Sequence, residues 1–172
     1  ENGKLSTVAR KMIAGILSYA GAITAFGNTT PLSYMRLVPH QEAPTSICWG
    51  DRNRSVLIRV PLGWTTDVSM INHANSNIQN ITSPIPEKQT IELRSPDGTA
   101  DIYLLLAAIV VAAAKGFEIP NALELAEQLY VNVNIHKEDC RDKAKYLGHL
   151  PSSCYESAIC LENKKQIFLD SG

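Results

Sequence analysis

The residues best suited to chemistry in this 172-residue chain are arginines. Between residues 12 and 87, every basic side chain other than histidine is an arginine. A guanidinium group is planar, permanently charged and able to donate two parallel hydrogen bonds, so it suits fixed recognition of phosphate or carboxylate groups. Isolated arginines also form structural ion pairs, and the sequence leaves both interpretations open. The four arginines are Arg36, Arg52, Arg54 and Arg59.

The spacing of three of these arginines decides whether their side chains can meet. Arg52 and Arg54 lie two residues apart and point the same way if the chain is extended there. Arg59 is five residues beyond Arg54 and would face the opposite side of a regular strand. A bulge would bring the three side chains together, and so would a strand that begins after Arg54.

A carboxylate and a guanidinium lie close together in the segment 90–94, where polar and apolar residues alternate. This alternation predicts a strand with Thr90, Glu92 and Arg94 on one face. Glu92 could then be a ligand of a divalent metal beside an arginine that binds a substrate carboxylate. A cross-strand ion-pair ladder explains the same pattern equally well. The four histidines show no metal-ligand spacing to one another.

The composition narrows the class of protein. Hydrophobic residues make up 45% of the chain and charged residues 19%, which predicts one globular domain over residues 1–172. The formal charge of −1 argues against a nucleic-acid binder. The longest apolar run, residues 102–114, is about half the length of a membrane-spanning helix and predicts a buried core helix instead. Four cysteines without a C-x-x-C pair indicate reduced thiols and a cytoplasmic protein.

Hydrophobic periodicity predicts helices and a few strands, hence an α+β fold. Asn121 with Glu124, and Ser153 with Glu156, have the spacing of helix-capping boxes. Residues 28–53 are predicted to form a long loop, and residues 62–88 a surface excursion. The predicted helices cover about residues 4–25, 100–115, a stretch from 121 and 153–163, and the predicted strands cover 55–61 and 90–94.

Five short motifs resemble one known family. They are "SYMRLVP", "EAP", "RNRS", "IRVP" and "IELRSPDGTADIYL". In order and spacing they are similar to the C-terminal half of the catalytic domain of glutamine synthetase, over roughly residues 15–106. The resemblance implies ATP-dependent ligation of ammonia to glutamate through a γ-glutamyl phosphate. It also implies antiparallel β-strands with helices packed on one side, as part of that catalytic domain, with residues 100–172 mainly helical.

The resemblance further implies how glutamate and ammonium would be bound. Arg36 and Arg94 would hold the glutamate substrate. Glu42, in a flap within the loop 28–53, would close over the reaction intermediate and take a proton from ammonium.

The same resemblance implies how ATP and metal would be bound. Arg54 and Arg59 would bind the ATP phosphates, and Arg54 would also act in catalysis by offsetting charge during phosphoryl transfer. Arg52 would support these two arginines. Glu92 would ligate the Mg²⁺ or Mn²⁺ ion that bridges to the transferred phosphoryl group.

The chain opens with Glu-Asn-Gly-Lys rather than methionine, which predicts a piece of a longer protein. The other metal ligands of the family have no counterpart here, so we expect the segment alone to be inactive and the full-length protein to be a homo-oligomer. Missing strands would leave an exposed sheet edge and favour self-association. The alternative hypothesis is a non-catalytic relative that kept nucleotide or amino-acid binding.

Overall fold

The computed structural model describes residues 5–38, 43–61, 90–133 and 146–170. Within these ranges the chain forms six α-helices, one 3-10 helix and a three-stranded sheet. The predicted surface excursion over residues 62–88 and the flap residue Glu42 lie outside the described residues.

The first helical region consists of two helices, α1 (Thr7–Ser18) and α2 (Ala20–Gly27). α1 begins after Ser6, whose side chain accepts a hydrogen bond from the Ala9 N–H at 3.2 Å. The backbone leaves the helical conformation at Tyr19 (φ −114°, ψ 12°), so the single helix predicted over residues 4 to 25 is wrong there. Apolar spacing continues across the turn, and periodicity therefore does not reveal the break.

A 3-10 helix (Pro31–Met35) follows α2 and ends at Arg36. Thr30 and Ser33 form a capping box at its start. Tyr34 fixes it to the interior, because the buried Tyr34 hydroxyl and Ser157 Oγ are hydrogen-bonded at 2.5 Å. The predicted loop 28–53 thus contains regular structure on which Arg36 is positioned.

The sheet is mixed and has the order β1 (Trp49–Asp51), β2 (Ile58–Val60), β3 (Glu92–Leu93). β2 and β3 are antiparallel, as predicted. β1 and β2 are parallel, so the prediction of antiparallel strands alone is wrong for this pair. The six residues 52–57 connect the two parallel strands, a connection far shorter than the usual helical crossover.

Asn53 holds this short connection in place. Its Oδ1 accepts hydrogen bonds from the Ser55 N–H at 2.9 Å and from Ser55 Oγ at 2.7 Å. Its Nδ2 donates to the carbonyls of Val131 and Val133 at 3.2 and 2.8 Å. Arg52 turns the chain with a positive φ of 54°. A strongly bent backbone takes the place of the usual crossover. Composition and periodicity do not predict this bend.

The C-terminal half contains α3 (Ile102–Lys115), α4 (Ala122–Gln128), α5 (Cys154–Lys164) and α6 (Gln166–Leu169). Asn121 makes no side-chain capping bond at the start of α4, so the capping box predicted there is wrong. Ser153 does cap α5, accepting from the Glu156 N–H at 3.2 Å. The Glu156 carboxylate, however, accepts from the Ser152 N–H at 2.7 Å, one residue away from the predicted partner.

α3 is apolar on all sides but buried on one side only. Leu105, Ala108 and Ala112 face the core, whereas Tyr103 and Val110 are 83% and 65% exposed. The prediction of a buried core helix therefore holds for half of its surface. Among the described residues, no helix is long and apolar enough to cross a bilayer.

Two glycines let α1 and α3 approach each other closely. A Cβ on Gly15 would lie 2.2 Å from the Ala112 carbonyl oxygen, and a Cβ on Gly116 would lie 2.0 Å from the Lys11 carbonyl oxygen. Both distances are far below van der Waals contact. Backbone therefore touches backbone at this crossing, and no larger residue fits without moving a helix.

We expect Gly15→Ala to lower the free energy of unfolding by about 1–3 kcal/mol, because overpacking against a backbone carbonyl outweighs the roughly 1 kcal/mol gain in helix propensity. Gly98→Ala is the matched control, since a Cβ on Gly98 has no atom within 4 Å. Urea unfolding of both variants measures the difference. Equal unfolding midpoints for the two variants would contradict the close crossing.

Candidate anion-binding site

The centre of the candidate site is a carboxylate between two guanidinium groups on adjacent strands. Arg59 on β2 and Glu92 on β3 are paired across the sheet. Arg59 Nη2 lies 2.7 Å from Glu92 Oε2, and Arg94 Nε lies 3.8 Å from Glu92 Oε1. The cross-strand ion pair that the sequence left open is thus present. It gathers two of the predicted site arginines around Glu92.

Arg54 completes this cluster from the connection before β2. The Arg54 carbonyl accepts a hydrogen bond from Arg94 Nη1, and the Val56 carbonyl accepts from the same nitrogen at 3.4 Å. These bonds hold the Arg94 guanidinium against the turn, while the Arg54 side chain is exposed. Because Arg54 lies before the strand begins, it need not face away from Arg59, and no bulge is required.

The cluster of Arg54, Arg59, Glu92 and Arg94 carries an excess of positive charge. Burial lowers the pKa of the Arg94 guanidinium below its ordinary value. The Glu92 carboxylate opposes this shift, whereas the positive charges of Arg59 and Arg54 add to it. Arg94 remains charged near neutral pH. One carboxylate does not neutralise three guanidiniums, so the cluster favours an added anion.

Two of the predicted site arginines have a buried nitrogen without a hydrogen-bond partner in the described part of the chain. These atoms are Arg59 Nε and Arg36 Nη1. A buried donor left unpaired costs free energy, commonly about 1–3 kcal/mol, and a ligand oxygen would remove that cost. Arg36 follows the 3-10 helix and interacts electrostatically with Asp97. Its described contacts do not include the three arginines around Glu92.

Arg52 differs from the other predicted arginines. Its side chain is exposed and forms no ion pair with any described residue. Its positive φ is uncommon for a residue with a side chain and marks the turn between β1 and β2. The backbone of Arg52 therefore sets the course of the connection that contains Arg54, independently of any ligand of the Arg52 side chain.

The described residues do not form a metal centre by themselves. No group of three His, Cys, Asp or Glu side chains that could hold an ion occurs among them. The Glu92 carboxylate is occupied by Arg59 and Arg94. Mg²⁺ prefers about six oxygen ligands, so Glu92 would supply only one of them, and water, substrate or other parts of the protein would have to supply the rest.

Several residues that build the site were missed by sequence reasoning. Asn53 lies in the motif "RNRS", and an Asn two residues before a Ser is also typical of a side-chain-stabilised turn. Asp97 and Thr99, just after β3, bond to each other and contact the segment before Arg36. In the sequence, Asp97 lies in Ser-Pro-Asp-Gly, which is typical of a turn, and Thr99 follows it. This pattern does not indicate which residues the turn contacts.

The comparison with protein families decides which family this arrangement belongs to. A family model described as glutamine synthetase, catalytic domain, matches residues 1–170. This chain belongs to the glutamine synthetase catalytic-domain family. The resemblance seen in the five motifs is confirmed, and it extends well beyond the residues that carried it.

Curated glutamine synthetases are similar over nearly the whole chain. That of Pyrococcus furiosus is 37% identical over 165 residues, which are 95% of this chain and 32% of that protein. That of Aquifex aeolicus is 40% identical over 170 residues, which are 98% of this chain and 31% of that protein. The chain therefore spans about a third of the length of these glutamine synthetases.

Solved structures support the same fold. A GmaS/ADP complex is 26% identical, with a TM-score of 0.64, and the match covers 92% of this chain and 31% of that one. A novel glutamine synthase homolog is 21% identical, with a TM-score of 0.62, and the match covers 95% and 30%. The helices and small mixed sheet are therefore those of a glutamine synthetase catalytic domain.

We expect Arg94→Gln to lower the free energy of unfolding by about 1–3 kcal/mol, because it removes charged hydrogen bonds to two backbone carbonyls. Lys165→Gln is the matched control, since it removes one charge from an exposed ion pair with Glu162 and should cost less than about 0.5 kcal/mol. Denaturant unfolding compares the two variants. If Arg94→Gln lowers the free energy of unfolding no more than the control does, the Arg94 side chain does not stabilise the turn.

Proposed function

We propose that this chain is part of an enzyme that ligates ammonia to glutamate at the expense of ATP. Membership of the glutamine synthetase family supports the reaction. The observation that supports this chain's share in it is the cluster in which Arg59 and Arg94 flank Glu92, Arg54 acts electrostatically on Arg94, and Arg59 Nε has no described partner. Such a cluster has the charge and the free donors that a polyphosphate requires.

In the first step, a γ-carboxylate oxygen of glutamate attacks the γ-phosphorus of ATP, the bond to ADP breaks, and γ-glutamyl phosphate forms. Arg54 and Arg59 stabilise the negative charge on the phosphoryl oxygens, and Arg52 supports them from the turn. Arg36 and Arg94 hold the carboxylate groups of glutamate in position for attack.

In the second step, ammonia attacks the acyl carbon of the acyl phosphate and inorganic phosphate leaves. Glu42 accepts the proton lost from ammonium, and the flap keeps water from hydrolysing the acyl phosphate. Glu42 lies outside the described residues, so this role rests on the family motif alone.

Mg²⁺ or Mn²⁺ would offset phosphate charge in such a reaction. The assignment of Glu92 as a metal ligand stays a prediction, because its carboxylate is paired with arginines and the described residues offer no further cluster of ligands. A homo-oligomeric full-length protein is likewise a prediction from the resemblance, and a cytoplasmic location is a prediction from the cysteine pattern.

A second candidate function is binding without catalysis. The chain spans about a third of its relatives, and its described residues contain an anion-binding cluster without a metal centre. Such a segment would bind a nucleotide or an amino acid and transfer no phosphoryl group.

The binding part of the proposal is tested on the chain itself with inorganic tripolyphosphate, a probe that carries phosphate charge without adenine. At ten times its Kd, tripolyphosphate should raise the free energy of unfolding of the wild type by about 1.4 kcal/mol. Arg59→Gln should lose most of this stabilisation, and the effect should weaken as salt is raised.

Lys165→Gln is the control, because it removes a positive charge that is not part of the cluster, in an exposed ion pair at the end of α5. It should be stabilised as much as the wild type. Equal stabilisation of the Arg59 variant, or none of the wild type, would contradict phosphate binding at this cluster.

The activity of the isolated chain is tested separately from binding. We expect the isolated chain to form no glutamine from glutamate, ammonium and MgATP, because one carboxylate cannot hold the metal ions that the reaction uses. A coupled assay of phosphate release, with direct detection of glutamine, measures turnover. Glutamine formed by the isolated chain would contradict this expectation.

A further inference from the structure

The two arginines proposed to bind glutamate lie on different segments, and a set of polar contacts joins those segments. Arg36 follows the 3-10 helix, and Arg94 directly follows β3. Residues 27–33 precede Arg36, and the turn 95–99 follows Arg94. A rigid connection between these two segments would fix the separation of the two guanidiniums.

Hydroxyl groups form the first part of the connection. Thr30 Oγ1 lies 3.1 Å from Ser33 Oγ, and Ser33 Oγ lies 3.2 Å from Thr99 Oγ1. The Thr99 hydroxyl and N–H donate to Asp97 Oδ1 at 2.6 and 2.9 Å. The chain of bonds thus runs from the start of the 3-10 helix to the Asp97 carboxylate.

Backbone contacts form the second part. The Asp97 N–H donates to the Gly27 carbonyl at 3.0 Å, and Asn28 Nδ2 donates to the Ser95 carbonyl at 3.0 Å. Asn28 is 1% exposed, so this bond is shielded from water. A Cβ on Gly27 would lie 3.1 Å from the Pro96 ring, which shows how closely the two segments pack. Hydrogen bonds and close packing therefore join the two segments directly.

The Asp97 carboxylate interacts electrostatically with Arg36 but forms no hydrogen bond or ion pair with it. Burial alone would raise the pKa of Asp97, but the nearby hydroxyls of Ser33 and Thr99 and the positive charge of Arg36 outweigh burial, so its pKa lies below the usual range. The two side chains form no direct ion pair, and Arg36 Nη1 is buried without a partner among the described residues. Asp97 attracts the guanidinium and leaves that nitrogen free.

We propose that Asp97 is a positioning residue, which fixes Arg36 relative to the turn after Arg94 through the Thr30–Ser33–Thr99 contacts so that both guanidiniums bind one amino-acid substrate. This inference rests on the proposed function, in which Arg36 and Arg94 bind glutamate. Three residues of chain span at most about 11 Å, so Asp97 lies within that distance of Arg94 along the backbone. The Asp97 carboxylate therefore belongs to the turn after Arg94 and is connected by hydrogen bonds to the segment before Arg36.

The test compares two ligands on the same chain. In a titration followed by NMR, Asp97→Asn should weaken the binding of L-glutamate about fivefold or more, the size of a typical coupling between groups. It should leave the binding of tripolyphosphate, which depends on Arg54 and Arg59, within twofold of the wild type. Asp170 is exposed and lies near the C-terminal end of the sequence. Asp170→Asn is the control and should alter the binding of neither ligand. Glutamate binding unchanged in Asp97→Asn would overturn the proposal, and so would equal weakening of both ligands.

A second measurement decides the proposal even if glutamate binds too weakly to measure. The Asp97 carboxyl is titrated by carbon NMR in the wild type and in Arg36→Gln. The pKa of Asp97 should rise in the variant, because an attracting charge is lost. An unchanged pKa would overturn the link between Asp97 and Arg36. If the link is present but neither glutamate nor tripolyphosphate binds, the proposed function is wrong, and with it the role of both residues in substrate binding.

Discussion

The structure of the candidate site depends on the Glu92 carboxylate between Arg59 and Arg94. Guanidinium groups brought close together repel one another, and partial burial makes the repulsion stronger. Glu92 offsets that repulsion from a position that the antiparallel pairing of β2 and β3 fixes directly opposite Arg59. The offset is incomplete, because Arg54 also acts on Arg94. The remaining positive charge is what an incoming phosphate would neutralise.

The scaffold that holds this cluster combines close backbone contacts with hydrogen bonds from individual side chains. α1 and α3 cross where Gly15 and Gly116 allow carbonyl oxygens to approach. Trp49 on β1 joins the sheet to α4, since its Nε1 donates to the Ala126 carbonyl at 2.6 Å. Asn53 closes the turn that presents Arg54. Small shifts in these elements would change the separation of charged groups, so the proposed anion binding depends on precise packing.

Sequence reasoning predicted the parts of the fold that depend on local patterns. The alternation in residues 90–94 predicted a strand with Glu92 and Arg94 on one face; the observed strand is only Glu92–Leu93, but the Glu92 and Arg94 side chains do contact each other. The apolar run after Asp101 predicted α3 almost to the residue. The arginine bias left an anion site and structural ion pairs open, and Arg59 does form an ion pair with Glu92. The motifs predicted the family.

The rest depended on contacts distant in sequence. The parallel pairing of β1 with β2 follows from the bend at Arg52 and from bonds between Asn53 and residues 131–133. The break at Tyr19 lies inside an unbroken apolar pattern. No local pattern shows that Asp97 and Ser33 belong to one network, since 64 residues separate them in the chain. Such contacts become visible only when the elements are packed together.

The most direct test of the central claim is a crystal structure of the chain with tripolyphosphate at low salt. The account predicts phosphate oxygens within about 3 Å of guanidinium nitrogens of Arg54 and Arg59, on the side of the sheet where Glu92 lies. A tripolyphosphate bound only elsewhere, with these two side chains in contact with no phosphate oxygen, would contradict it.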